Sequence, residues 1–226
     1  MFAESINLQY GMFLSAVRGG YLGLADTHTQ IFNLRQIERD FNWFKSTFLA
    51  NVKNLIAAEF SSELLNVADS FKNDIEARRD NFIMLMDDVA SGNIKTAIAL
   101  AKGVGSAIHG VSESYNGAIG QLMHKRAGVI NYRVKDSSGR NWISEALIKF
   151  LAKDFEYQTS LDITLGRMLV SGIDMVEVVY SDVEHENNGL VFYIGDGESE
   201  FKTLSDIRST IFHPNATAMV KPYVHS

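Results

Sequence analysis

Histidines are the side chains in this sequence best suited to bind a metal ion or to transfer a proton near neutral pH. A helical zinc hydrolase typically has two histidines four residues apart with a glutamate between them. No two histidines of this sequence have that spacing. His185-Glu186 and His213 lie in expected loops and would converge only if the neighbouring strands pair. Structural hydrogen bonds are the favoured interpretation of both. The six histidines are His28, His109, His124, His185, His213 and His225.

Other catalytic patterns are equally weak. The carboxylate groups at Asp87-Asp88 and at Asp182, Glu184 and Glu186 are typical of solvated surface charges. The sequence has no Gly-x-Ser-x-Gly, Walker or kinase signature. It has no cysteine, which excludes disulfides, thiolate metal sites and cysteine nucleophiles. We therefore predict no catalytic, cofactor-binding or metal site and no enzymatic activity. The alternative is a metal-dependent or degenerate hydrolase-like domain around His185 and His213.

Net charge limits the classes of partner. The chain has 21 basic and 27 acidic residues, a net charge of −6, which argues against a general nucleic-acid coat protein. Only local DNA contact is expected, through patches such as His124-Lys125-Arg126. No stretch approaches about 18 uncharged apolar residues, so we expect no membrane-spanning helix. The N-terminus has no basic region followed by an apolar run, so we expect no secretory signal.

Helical periodicity dominates residues 1–127, which we predict to be a helical module. Apolar residues recur every three or four positions, the pattern of one buried helix face. We expect long antiparallel helices at 31–60 and 62–90, because two helices joined by only a few residues usually pack against each other. Their shared seam is predicted to comprise Phe41, Phe44, Phe48, Phe71, Ile75 and Phe82.

Glycines complicate both ends of this module. We expect Gly92 to end the second helix, and a glycine-rich third helix to cover 94–125. Its glycines favour close helix packing over a helix that rearranges, and they are Gly103, Gly105, Gly110, Gly117 and Gly120. In residues 1–29 we expect a short helix, interrupted by Gly19-Gly20 and Gly23, then a loop. This segment is a candidate arm that reaches a neighbouring molecule.

Residues 128–226 contain both helix and strand signals and are predicted to form a small module with a short antiparallel sheet. A strand at 129–134 and a turn at 136–139 precede a helix capped by Asn141 and closed by Gly172. Further strands are expected at 175–180, 190–194 and 218–223, with helical turns at 204–210. We expect Trp142 to be buried at the start of the helix, against strands near Val178 and Val191. The predicted fold class of the whole chain is α+β.

Between residues 134 and 223 the order of motifs resembles the phage minor capsid proteins of the head-morphogenesis (Mu F-like) group. In the pattern of that group, a strand is followed by an aspartate, two variable residues, Gly-Arg, one variable residue and a tryptophan. A Gly-x-Asp segment, a Gly-x-Val-aromatic strand, a Phe-His-Pro-Asn segment and a Pro-Tyr pair follow the long helix. The matching residues are Asp136, Gly139, Arg140, Trp142, Gly172, Asp174, Gly189, His213, Pro214, Asn215, Pro222 and Tyr223.

The sequence also departs from the pattern of this group. Lys153-Asp154 stands where the group has Arg-Thr, and Ala216 stands where it has a cysteine after His-Pro-Asn. The Cys-x-x-Cys often found before the Gly-x-Val strand is absent. A metal or thiol role is therefore not expected, and the motif residues are interpreted as structural.

The resemblance implies a structural virion protein in the phage head, made in the host bacterial cytoplasm. Its expected partner is the portal protein or the inner capsid surface, and copies of the chain itself are a further candidate. The expected role is head assembly or DNA delivery. Some larger relatives carry an enzyme or toxin after the His-Pro-Asn segment, and Ser226 follows too soon for such cargo to be expected. The alternative is another helical virion protein: an adaptor, tail or scaffold component.

Overall fold

The structure is a computed structural model. It describes residues 1–23, 34–108, 123, 125–135, 139–182, 184–195, 197, 199–213 and 216–224. The helices are α1 (Phe2–Gly23), α2 (Leu34–Phe60), α3 (Asp69–Ile108), α4 (Ser144–Val170) and α5 (Leu204–Ile211). The strands are β1 (Arg133–Lys135), β2 (Asn141–Ile143), β3 (Met175–Val179), β4 (Val191–Tyr193) and β5 (Met219–Pro222). None of the described helices is long and apolar enough to cross a membrane.

The chain divides into two compact units, and both are discontinuous in sequence. Unit 1 comprises Met1–Leu55 and Phe82–Lys149, and unit 2 comprises Ile56–Asn81 and Phe150–Ser226. The N-terminal part is helical and the small antiparallel sheets lie in the C-terminal part, so the predicted α+β class is confirmed. Each unit takes residues from both sides of residue 127. The division into modules 1–127 and 128–226 stays a prediction.

Helix α1 is part of the core of unit 1, which corrects the expectation of a short helix followed by a loop. It continues through Gly19-Gly20 to Gly23. Its buried positions include the predicted stripe and are Phe2, Ala3, Ile6, Tyr10, Phe13, Leu14, Val17 and Tyr21. A helix with this much buried apolar surface is held by packing, so the arm interpretation is wrong for residues 2–23. Residues 24–29 lie outside the described part of the chain.

Two separate helices follow, as predicted, although the second begins later than expected. Residues 61–66 form turns, and Asn66 has a φ of +60°, a value incompatible with a right-handed helix. The expected start of this helix at residue 62 is therefore wrong, and α3 begins at Asp69.

Helix α1 supplies aromatic partners that the predicted seam did not include. In unit 1, Phe48 packs against Tyr10 and Phe13, with ring centroids 5.8 and 5.3 Å away. Phe82 packs against Phe2 in the same unit. The other predicted seam residues are Phe41, which is buried in unit 1, Phe44, which is half-buried there, and Phe71 and Ile75, which are buried in unit 2.

Gly92 does not end a helix, which is a second correction. Helix α3 continues through it for sixteen residues to Ile108. A Cβ at residue 92 would lie 2.4 Å from the ring of Tyr132. The missing side chain therefore lets the Tyr132 ring approach α3. Gly103 and Gly105 fall within α3, whereas Gly110, Gly117 and Gly120 lie outside the described residues, as does most of the predicted 94–125 helix beyond Ile108.

A buried amide links three segments of unit 1. The side chain of Asn93 is fully buried; it donates to the Tyr10 hydroxyl at 2.8 Å and accepts from the Tyr132 backbone N–H at 2.8 Å. Burial raises the pKa of Tyr10 to about 12. The Tyr10 hydroxyl therefore stays protonated, and Asn93 joins α1, α3 and the segment around Tyr132 by hydrogen bonds.

Trp142 lies in a strand rather than at a helix start. It occupies the middle of β2, opposite Val134 of β1, and helix α4 begins two residues later at Ser144. The indole is half-buried, and the Arg140 guanidinium lies 5.7 Å from its ring centroid. The expectation that Trp142 is largely buried at the start of a helix, with Asn141 as the cap, is therefore wrong. The aromatic ring fits the pleated surface of a two-stranded hairpin.

Unit 2 is built around the antiparallel sheet β4-β3-β5. Its strands agree with the predicted ones. Burial alternates along β3 and β4, so that Val176, Val178 and Phe192 are buried. Phe192 packs against Phe212 after α5, and Phe155 of α4 packs against Phe60. A sheet of short strands gains most of its stability from such helix packing.

We predict opposite effects of alanine at two helical glycines. A Cβ at Gly166, in α4, would lie 2.5 Å from Val67 Cγ1 and 3.0 Å from Phe71 Cβ. Gly166→Ala should therefore lower the free energy of unfolding by about 1–3 kcal/mol. Gly11, in α1, has no atom within 4 Å of that position. Gly11→Ala should stabilise by about 0.5–1 kcal/mol. Urea unfolding measures both, and a gain at residue 166 would contradict the packing.

Candidate functional site

Unit 2 has a cavity of about 700 Å³. It is bounded by the start of α3, the middle of α4, the end of β4 and the N-terminal part of α5. Its charged or titratable lining residues are Asp74, Arg78, Asp154, Tyr193, Arg208 and His213. The volume is within the range of small-molecule pockets, about 300–1,000 Å³. This cavity is the candidate functional site.

A carboxylate behind the wall of this cavity holds two guanidinium groups. Asp162 of α4 is fully buried and accepts from Arg78 Nη2 of α3 at 2.7 Å. It also accepts from both terminal nitrogens of Arg208 of α5, with Nη1 at 3.3 Å. A guanidinium that donates two hydrogen bonds to one carboxylate is fixed in orientation as well as in position. Asp162 thereby connects three helices of unit 2.

Gln158, one turn before Asp162, extends this network. Its amide oxygen accepts from Arg208 Nη1 at 3.0 Å, and its amide nitrogen donates to the Phe212 backbone carbonyl. That carbonyl follows the last turn of α5, where it has no partner inside the helix. The network therefore runs from α3 through α4 to the middle and the C-terminal end of α5.

Two carboxyl groups accompany the two guanidinium groups of this network: Asp162, which is fully buried, and Asp154, which is half-buried and hydrogen-bonds with Gln158. Two guanidinium groups share the single buried carboxylate, and both keep about a quarter of their side chains exposed, 26% for Arg78 and 23% for Arg208. Arg78 Nε is buried without a hydrogen-bond partner among the described residues. One donor of Arg78 is therefore left unsatisfied by the described residues, while its Nη2 is held by Asp162.

Asp154 is the cavity residue whose titration is most strongly changed. Its carboxyl group is half-buried, and burial raises its pKa above the usual 3.8, although nearby Arg78, Gln158 and Arg208 act in the opposite direction. Desolvation therefore outweighs two cations. The result is a carboxyl group that can donate a hydrogen bond into the cavity at a higher pH than an ordinary aspartate.

The structure separates the two histidines considered for chemistry. His213 is exposed and lines the cavity. His185 stacks on Tyr180 with ring centroids 3.6 Å apart, and its Nδ1 accepts from the Asn187 backbone N–H. Among the described residues no group of three histidine, aspartate or glutamate side chains could hold a metal ion. His28, His109, His124 and His225 lie outside those residues.

The family-motif residues occupy turns and their surroundings. Gly139, Gly172 and Gly189 have φ values of +82°, +79° and +82°, the left-handed region that glycine tolerates best. Arg140 and Asp174 are exposed next to two of these turns. Apart from His213, the motif residues that the structure describes are absent from the cavity wall. Asp136, Pro214 and Asn215 lie outside the described residues.

Sequence reasoning missed the cavity because its residues are far apart in the chain. One signal was present, since Arg78 interrupts the apolar stripe between Ile75 and Phe82. Asp162 likewise stands between Leu161 and Ile163 in the middle of a helix. A charge in the apolar face of a helix must be paired or solvated. Neither position alone identifies its partner.

We predict that Asp162→Asn is strongly destabilising. It leaves two partly buried guanidinium groups without their shared carboxylate, which should lower the free energy of unfolding by about 3 kcal/mol. The matched control is Glu63→Gln, which weakens an exposed pair with Arg167, also in unit 2. Exposed pairs contribute about 1 kcal/mol or less. Equal losses of stability in the two variants would contradict the role of Asp162.

We predict that Asp154→Asn changes stability in a pH-dependent manner. A raised pKa means that the folded state binds the proton more tightly, so the stability that Asp154 contributes below pH 3.8 is lost as the pH rises through the folded pKa. The asparagine variant should gain stability relative to the unchanged chain between pH 3 and pH 7.

Asp206 is the control, because its pKa is shifted in the direction opposite to that of Asp154. Hydrogen bonds from the Thr203 backbone N–H and hydroxyl lower its pKa, so its contribution is present at neutral pH and is lost on acidification through the folded pKa. Asp206→Asn should therefore destabilise at pH 7 and lose this effect at low pH. Urea unfolding across the pH range measures both variants, and parallel curves would refute the assignment.

Comparison of the chain with protein-family models, curated proteins and solved structures yields no significant match.

Proposed function

We propose that the chain is a non-enzymatic structural component of a phage virion, of the minor capsid (head-morphogenesis) type. It binds the portal protein or the inner surface of the head and assists head assembly or DNA delivery. The proposal rests on the ordered motifs between Asp136 and Tyr223, which resemble those of that group.

The observation that carries the proposal is the conformation of the motif glycines. Among the described residues, the glycines with positive φ are Gly139, Gly172 and Gly189, and all three belong to the motif. They stand between β1 and β2, between α4 and β3, and before β4. A motif match produced by chance would not be expected to select the glycines that the backbone requires.

Unit 1 offers a surface that suits the expected docking. Leu8 and Met12 of α1 and Trp43 of α2 are 64%, 59% and 65% exposed. A small groove beside them is lined by both helices and includes Phe13, Phe44 and Phe48. Grouped exposed apolar side chains mark interaction sites more often than isolated ones. We call Leu8, Met12 and Trp43 the apolar patch.

The chemistry of the apolar patch limits the partner. None of its three side chains is charged, so a hydrophobic protein surface is the expected partner and DNA is not. The net charge of −6 also disfavours extended contact with packaged DNA. In this proposal unit 1 binds the portal or the inner capsid surface. The competing partner is a second copy of the chain.

We predict that the double variant Met12→Ser/Trp43→Ser loses association with the portal. Co-expression with portal protein followed by co-purification should show at least a tenfold loss, because an aromatic anchor and its neighbour are removed. The control is Met84→Ser, a residue of α3 in unit 1 that is also exposed but is outside the apolar patch. Urea unfolding verifies that both variants fold.

Other outcomes would redirect or refute the proposal. Loss of self-association in the double variant, with portal binding unchanged, would assign the apolar patch to a second copy. Binding to a tail or shell protein but not to portal would favour the adaptor or scaffold alternative. Absence from procapsids and virions, together with turnover of a small substrate, would refute a structural role.

A further inference from the structure

We propose that the β1–β2 hairpin of unit 1 binds double-stranded DNA, with the hairpin in the major groove and Arg133 and Lys135 on the phosphates. The inference concerns unit 1 alone, uses residues other than those of the apolar patch, and does not depend on the proposed virion role. It follows from the distribution of charge along the chain, the face on which the basic residues lie and the width of the hairpin.

The charge of the chain is unevenly distributed. Between residues 123 and 149 the sequence has six basic and two acidic residues, although the whole chain has a net charge of −6. One of the two acidic residues, Glu145, is paired with Arg18, with Oε1 and Nη1 3.7 Å apart. A positive segment in a negative chain attracts a polyanion locally, whereas the remainder of the chain repels it. The six basic residues are Lys125, Arg126, Arg133, Lys135, Arg140 and Lys149.

The hairpin presents two of these basic residues on one exposed face. Arg133 and Lys135 are two positions apart in β1, so their side chains lie on the same side of the strand. Their cross-strand neighbours Ile143 and Asn141 share that side, and all four residues are exposed. No ion pair joins Arg133 or Lys135 to a carboxylate among the described residues. We call these four residues the hairpin face, and both of its charges are available to a ligand.

The opposite side of the hairpin is less accessible. Val134 and Trp142 are partners in the ladder and are half-buried. The Arg140 guanidinium lies 5.7 Å from the centroid of the Trp142 ring. A ligand therefore approaches the hairpin from the side of Arg133 and Lys135.

The dimensions of the hairpin fit a DNA duplex. Its two strands lie about 4.8 Å apart, and among the described residues no third strand joins them. The major groove of B-form DNA is about 12 Å wide and admits a two-stranded ribbon of this kind. The major groove of duplex RNA is too narrow for protein side chains to read. The width of the hairpin therefore favours DNA over RNA.

The spacing of the two charges also suits a phosphate backbone. Positions two apart in a strand are separated by about 7 Å, twice the roughly 3.4 Å axial spacing of the charges on one DNA strand. Arg133 and Lys135 can therefore contact phosphates of the same DNA strand. Neither contact requires a particular base, because phosphate contacts position a protein on the duplex without reading its sequence.

The experiment uses the full chain and four probes: a short labelled DNA duplex, the corresponding RNA duplex, one DNA strand alone, and vesicles of equimolar phosphatidylserine and phosphatidylcholine. Fluorescence anisotropy measures binding of the nucleic acids across a salt series, and co-sedimentation measures binding of the vesicles. We expect saturable binding of the DNA duplex, tighter than that of the other three probes. Binding should weaken steeply with salt, because the protein displaces counterions from the DNA.

A matched pair of double variants tests the residues. Arg133→Gln/Lys135→Gln should weaken binding of the DNA duplex about tenfold or more at moderate salt. It should also lower the slope of log K against log salt by roughly 1.8, because each phosphate contact contributes about 0.9. Arg35→Gln/Lys53→Gln removes the same charge from exposed positions of α2 in the same unit and should leave the slope unchanged. Urea unfolding verifies that both variants fold.

Three results would overturn the proposal. The first is absence of saturable DNA binding, or equal losses of binding in the two double variants, which would indicate a general charge effect. The second is binding of the RNA duplex or the single strand as tightly as the DNA duplex, which would exclude the major groove. The third is tighter binding of the vesicles, which would assign the hairpin face to a membrane surface. These results leave the virion proposal untouched, because portal association is measured on the apolar patch.

Discussion

Asp162 has no contact with solvent, and its negative charge can remain there only while Arg78 and Arg208 stay beside it. Removing such a carboxylate from water is unfavourable, and the two guanidinium groups offset that cost. Because the three residues come from α3, α4 and α5, the requirement fixes the relative positions of these helices within unit 2. The same requirement forms the wall of the cavity.

An equivalent constraint in unit 1 is made by a neutral group. Asn93 satisfies both its donor and its acceptor inside the protein, linking α1, α3 and the segment at Tyr132. A buried amide is less costly to desolvate than an ion, yet it is equally specific in direction. Each unit therefore has an apolar core whose geometry is further defined by a small number of polar contacts.

Local sequence signals predicted the sheet of unit 2 and the existence of most helices. Strand β3 is bounded by Gly172 and by the loop before Gly189, and its β-branched residues alternate with period two, so neighbouring residues suffice to identify it. Gly92 and Gly19-Gly20 misled the prediction of helix ends, because the same residue type serves both turns and close packing. A glycine that ends a helix and a glycine that allows close packing are distinguished only by what lies next to them in the fold, here the rings of Tyr132 and Phe41. The cavity escaped prediction for the same reason, since Arg78, Asp162 and Arg208 meet only after folding.

The three left-handed glycines imply that these turns tolerate a mirror-image residue better than a natural one. At Gly139, Gly172 and Gly189 an L-side chain is strained whatever space surrounds it, by roughly 1–2 kcal/mol. A D-amino acid prefers the same positive φ, so the backbone of these turns suits it without strain. D-Alanine would also reduce the conformational freedom of the unfolded chain, which glycine leaves large. Semisynthesis at residue 172 would therefore yield a stabler protein whose turn is specified by chirality rather than by the absence of a side chain.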